Sequence, residues 1–113
     1  MVRMRSNWKK VRQLMVGRNF IVTKTWVCDD ALVKQDGYRV YMPGDYKMEV
    51  GDILRVKDFV VIRERFFIHK HVYFENPRYP GLEFVEELYN FVEFAEPIGI
   101  DWKTITSYVA VPI

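Results

Sequence analysis

DYKMEVGDILRVKDFVVIRERFFIHKHVYF, residues 45–74, is the stretch that decides the fold. β-branched and aromatic side chains dominate it, and these fit a pleated, half-buried surface. Gly51-Asp52 interrupts it, and Lys57-Asp58 marks a turn inside it. Three strands follow: Tyr46 to Val50, Ile53 to Val56, and a long one from Phe59 to Phe74 that bends near Glu64.

Working upstream, Asp36-Gly37 is a strong hairpin signal between Ala31–Gln35 and Tyr38–Met42. It sets Gln35 opposite Tyr38 and Val33 opposite Val40. Pro43-Gly44-Asp45 closes that hairpin, and Asp29-Asp30 reads as the turn before it. Phe20 to Cys28 is rich in β-formers and reads as one strand. Pairing from Phe20 to Phe74 is then expected to be a meander with short connections. Ser6 or Asn7 caps a short helix from Trp8 to about Met15, and Gly17 stops it.

Downstream, ENPRYPG at residues 75–81 is a Pro/Gly loop. Leu82, Val85, Leu88 or Tyr89, and Val92 recur at helical spacing, with Glu83, Glu86, Glu87, Asn90 and Glu93 on the other side, so an acidic amphipathic helix is expected near residues 82–95. Pro97-Ile98-Gly99 ends it, and Thr104 to Val111 reads as a last strand. The fold class is α+β and β-rich: a small curled sheet or barrel of SH3, OB or PUA-like size, in one domain of residues 1–113.

Half of the 113 residues are hydrophobic and 16% are aromatic, which excludes global disorder. So large an aromatic load suggests rings left over for an interface, and Trp8, Tyr79 and Trp102 are the expected anchors. The single cysteine, Cys28, rules out an internal disulfide. The basic start of the chain lacks the apolar run of a secretory signal, and no window is apolar for long enough to span a bilayer. The expected location is therefore the cytoplasm or a virion.

The net charge of +2 conceals segregation. Residues 1–24 carry Arg3, Arg5, Lys9, Lys10, Arg12, Arg18 and Lys24 and no acid. Residues 83–101 carry Glu83, Glu86, Glu87, Glu93, Glu96 and Asp101 and no base. The two poles either meet inside the molecule or each face something of opposite sign.

His69 and His71 flank Lys70 on a strand, so both rings share a face about 7 Å apart. A metal would need further ligands, for which Cys28, Asp29 and Glu75 are the candidates. Two surface histidines without a metal is the simpler expectation. Cys28 ends an apolar strand and reads as a core thiol rather than a nucleophile. There is no phosphate-cradling glycine loop, no GxSxG and no HExxH, so no enzyme chemistry and no cofactor is expected.

Two functional readings remain. In the first, the chain is a non-enzymatic assembly subunit in a homo-oligomer or larger protein complex. Its basic residues Arg3, Arg5, Trp8, Lys9, Lys10, Arg12 and Arg18 form one interface, and Glu83, Glu86, Glu87 and Glu93 form the acidic one. In build it is similar to the small β-rich subunits of viral adaptor rings. In the second reading the same basic segment binds nucleic acid, with Trp8 and Phe20 stacking on bases and Arg39, Arg63, Arg65 and Lys70 extending the patch.

Overall fold

Local turn and cap chemistry sets the first half of the fold. In the computed structural model, which describes residues 5–110, Asn7 caps α1 (Trp8–Met15) through a hydrogen bond from the Lys10 N–H. Val11 and Met15 are the residues this helix buries. A glycine at φ +82°, Gly17, then turns the chain into β1 (Asn19–Val22). Asp36 and Gly37, at φ 51° and 81°, make the tight turn that joins β2 (Trp26–Gln35) to β3 (Tyr38–Met48). The expected pairs Gln35–Tyr38 and Val33–Val40 are present.

The rest of the chain adds β4 (Ile53–Arg63), β5 (Ile68–Glu75), β6 (Phe84–Glu87), α2 (Leu88–Phe94), β7 (Ala95–Pro97) and α3 (Trp102–Thr106). Among the described residues the strands form a five-stranded antiparallel sheet, in the order β6-β5-β4-β1-β7, and a separate β2–β3 ribbon. The ribbon is fixed to the sheet side by reciprocal backbone hydrogen bonds between Leu32 and Glu83, 2.7 and 3.0 Å. The class is α+β as expected, but the described strands do not close into a barrel. With a radius of gyration of 14.6 Å, against about 13 Å for a compact chain of this length, the molecule is elongated.

Several elements differ from the sequence expectation. The stretch Phe59–Phe74 is not one bent strand; it folds back at Glu64–Phe67, and Arg63 pairs with Ile68. Lys57-Asp58 is a slip in register, not a turn, and the Asp58 carboxylate accepts from its neighbour's N–H on Phe59. Pro43-Gly44-Asp45 lies inside β3, where a register irregularity absorbs it: Cys28 pairs with Tyr46 but Asp30 with Pro43. Asp29-Asp30 accordingly sits within β2. Phe20–Cys28 breaks at Thr23–Thr25, where the Thr23 N–H donates to the Phe94 carbonyl, so the meander gives way to β1 lying between β4 and β7.

The acidic helix is the largest correction. Residues 84–87 are a strand on the edge of β5, and helix begins only at Leu88. Thr104–Val111 is not a strand over its described part. The Asp101 carboxylate accepts from the Thr104 N–H (2.8 Å) and hydroxyl (2.7 Å), and this cap starts α3 through a β-branched run. Val111 lies outside the described residues.

The core explains most of the aromatic surplus. Phe20, Phe74, Phe84, Phe91 and Phe94 are fully buried. Phe91 packs at 5.0 Å from Phe20 and 5.2 Å from Phe74, and Trp26 stacks on Phe94 at 5.0 Å. Each such ring contributes about 1.5–3 kcal/mol by burial alone.

A polar knot ties the turn after β3 to the Pro/Gly loop. Asp52 accepts from the Glu49 N–H (3.0 Å), the Asn76 amide (2.9 Å) and Arg78 Nε and Nη2 (3.0 and 2.6 Å). Asn76 is itself buried. The Arg78 guanidinium, aided by Asn76 and the Glu49 N–H against partial burial, holds the Asp52 carboxyl down at about 2. Asp52→Ala is expected to cost about 1–3 kcal/mol, because the buried Asn76 amide loses its oxygen acceptor and keeps only the weaker Met48 Sδ. A depressed carboxyl stabilises the fold above its unfolded value near pH 4, and that contribution fades as pH falls toward 2. Urea unfolding between pH 7 and pH 2 should therefore show a steeper acid loss in the parent chain than in Asp52→Ala.

Candidate functional site

The basic segment does not stay together as a patch. Arg12 pairs with Asp58 and donates to the Phe59 carbonyl at 3.0 Å. Burial pushes the Asp58 carboxyl up, but Arg12 and the Phe59 N–H outweigh it and leave it lowered. Arg18 is turned inward, donating to the carbonyls of Leu14 (2.7 Å) and Ile98 (2.9 Å). Lys10 lies over the Tyr108 ring at 5.8 Å. Lys9 and Arg5 are exposed, and Arg3 lies outside the described residues.

Arg5 and Trp8 instead join residues of the β4–β5 hairpin. Together with Ser6, Arg63, Lys70 and Val109 they line a groove of about 500 Å³, with no acid among its described lining residues. Lys70 Nζ sits 5.9 Å from the Trp8 ring centroid, and Trp8 leans on Phe59 at 6.2 Å. Of the other expected anchors, Trp102 donates to the Ala95 carbonyl (2.8 Å) and packs on Phe20. Tyr79 donates to the Lys47 carbonyl (2.8 Å) and packs on Tyr46 and Phe84. Both brace the fold from within.

The acids are also dispersed. Glu83 faces Arg39 at 3.5 Å, an ion-pair distance without a hydrogen bond to the buried Glu83 Oε1. Glu86 accepts from the Trp26 indole (3.1 Å) and the Asn90 amide (3.4 Å), and burial raises its carboxyl. Glu93 is exposed on α2. Among the described residues no ion pair joins the basic segment to the acidic one.

Glu87 has a different setting. Cross-strand pairing sets it opposite His71, and strand alternation puts His69 on the same side. Its Oε1 lies 3.2 Å from His69 Nδ1 and 3.1 Å from His71 Nε2, and its Oε2 accepts from the Lys70 N–H at 3.3 Å. Glu64 Oε2 lies 3.5 Å from the far nitrogen of His69. Of the ligand candidates read from sequence, Cys28, Asp29 and Glu75 are not part of this cluster. The carboxylate comes from a residue that helical spacing assigned elsewhere.

Sequence reading also missed the exposed apolar surfaces. Phe66 and Phe67 at the β4–β5 turn are 80% and 65% exposed, and Tyr38 and Tyr41 on β3 are 76% and 65% exposed. The signal was present in the FF pair and the YRVYM run, but both read as ordinary strand interior. No described helix is long and apolar enough to cross a membrane. No protein-family model, no curated protein and no solved structure matches the chain.

Cys28 is buried, and burial followed by the neighbouring Glu86 carboxylate pushes its thiol up. A thiol so placed stays protonated at neutral pH. A maleimide or disulfide reagent at pH 7.5 should leave the folded chain unlabelled and modify one thiol per chain in denaturant. Fast labelling of the folded chain would contradict this placement.

Proposed function

We propose that the protein is a non-enzymatic assembly subunit whose β2–β3 arm and β4–β5 tip dock on further copies of the same chain. The arm carries this reading. Eight consecutive residues of β3, from Tyr38 to Asp45, are exposed. Among the described residues β3 pairs only with β2, so its outer edge offers unpaired backbone donors and acceptors. A two-stranded ribbon is marginal in water unless something covers it, and a free edge with exposed Tyr38, Val40, Tyr41 and Met42 favours strand addition.

A second copy supplies the other half of such a contact. Each chain carries a free edge and a separate apolar tip at Phe66, Phe67 and Ile68, which suits a repeating head-to-tail interface. Glu83, Glu86 and Glu87 hold partners within their own chain, so this contact is apolar at its centre.

Light scattering on the purified chain is expected to give a multiple of 13.6 kDa that persists in 1 M salt. Tyr38→Ser with Tyr41→Ser, and separately Phe66→Ser with Phe67→Ser, should shift the mass toward the monomer while the far-UV circular dichroism stays that of the folded parent. A parent chain that is monomeric at 100 μM would overturn the reading.

The groove supports a second reading, binding of single-stranded nucleic acid. Arg5, Arg63 and Lys70 supply three cations, and the partly buried Trp8 supplies a stacking face. Neutralising about three phosphates gives a log–log salt slope near −2 for a single strand. Replacing Arg5, Arg63 and Lys70 with Ala should abolish that slope and the quenching of Trp fluorescence by an oligonucleotide. Unchanged binding in the triple variant would remove the groove from consideration.

A further inference from the structure

The geometry around Glu87 points to a metal site: we propose that His69, His71 and Glu87 bind one divalent transition-metal ion, zinc or a borderline relative such as cobalt or nickel. This does not depend on the assembly reading.

The donor spacing is the first argument. An ion at about 2.0–2.1 Å from each nitrogen and oxygen, with tetrahedral angles, holds its ligand atoms about 3.3 Å apart. Glu87 Oε1 already stands 3.2 Å from His69 Nδ1 and 3.1 Å from His71 Nε2. All three ligand atoms lie within 4.8 Å of one another, so a small rotation of one imidazole completes the set. The second argument is rigidity. All three residues stand on two hydrogen-bonded strands, with His71 directly paired to Glu87 across β5 and β6.

The surroundings orient the ligands as metal sites require. A ligating imidazole commonly gives its far N–H to a carboxylate, which fixes the tautomer and frees the near nitrogen's lone pair. Glu64 Oε2 stands in that position, 3.5 Å from His69 Nε2. The Lys70 N–H holds Glu87 Oε2, leaving Oε1 to face the two rings. Two imidazoles and one carboxylate favour zinc, cobalt, nickel or copper over magnesium or calcium, which prefer oxygen alone. The side chains of His69, His71 and Glu87 are 38%, 27% and 23% exposed, so a fourth coordination position opens to solvent.

His69 and His71 are the only histidines in the chain, which gives a direct readout. Calorimetry of the untagged, chelator-treated full chain with zinc chloride is expected to show one ion per chain at micromolar affinity or tighter. In the same titration, NMR should shift both imidazole side chains. His71→Ala and Glu87→Gln should each weaken zinc at least tenfold, and Glu64→Gln by about tenfold. Cobalt should show the visible absorption of a low-coordinate site without a thiolate band. Zinc that moves neither imidazole, or undiminished binding in the His71→Ala/Glu87→Gln double variant, would overturn the proposal. Should those variants fold poorly, the parent's imidazole shifts still decide it.

Discussion

The pairing of Phe84 with Phe74 across β5 and β6 is the constraint on which the rest of the molecule depends. Side chains on a strand alternate between faces, so fixing one residue fixes all its neighbours. With Phe84 fully buried against Phe74 at 5.7 Å, Glu86 must face inward and Glu87 outward. Inward, Glu86 meets Trp26 and the Cys28 thiol, and its carboxyl is raised by burial. Outward, Glu87 arrives beside His69 and His71. A slip of one residue would expose Phe84 and bury Glu87, a far costlier arrangement than the one adopted.

What the sequence revealed follows the reach of each signal. Asn7, Gly17 and the Asp36-Gly37 turn act on residues two to four positions away, so α1 and the pairs next to the turn, Val33–Val40 and Gln35–Tyr38, were legible, whereas the ribbon's run through Asp29-Asp30 and Pro43–Asp45 was not. The segment after Leu82 was not. Leu82, Val85, Leu88 and Val92 satisfy a 3.6 period, but Phe84 finds a partner in Phe74, and pairing with the exposed edge of β5 outweighs the local preference. α3 shows the reverse: one cap at Asp101 outweighs the strand preference of Thr104, Ile105 and Thr106. The turn at Glu64–Phe67 carries neither glycine nor proline, so the sequence read as a bend near Glu64 and not as a full reversal.

The charge poles teach a related lesson about site residues. Segregation along the chain is real, yet folding gives several of these groups short-range partners from the middle of the sequence. Arg12 takes Asp58, Glu83 takes Arg39, and Glu87 takes the two histidines. Half-buried charges gain more from such partners than from a distant opposite pole, because solvent screens the latter within about 10 Å. The cationic groove survives only because Arg63 and Lys70 come to Arg5 and Trp8 from another hairpin. That meeting is tertiary, and in the sequence Arg63 and Lys70 were named only as extensions of a patch built on Arg5, Trp8 and their neighbours.

The arm and the histidine cluster border one another. Tyr41 of β3, His71, Tyr73 and Glu87 line the same shallow depression, about 450 Å³ in volume. Near its turn the arm is held there by the Arg39 guanidinium over the Tyr73 ring at 5.0 Å and by the Leu32–Glu83 bridge, while Tyr38 and Tyr41 extend into solvent. Any chain that adds to the β3 edge and covers Tyr41 therefore closes one wall of this depression. Covering it would withdraw solvent from the His71 imidazole, whose side chain is 27% exposed. The β3 arm and the cluster thus border one depression, because a single strand, β5, carries His71 and Tyr73 on the face beside Tyr41.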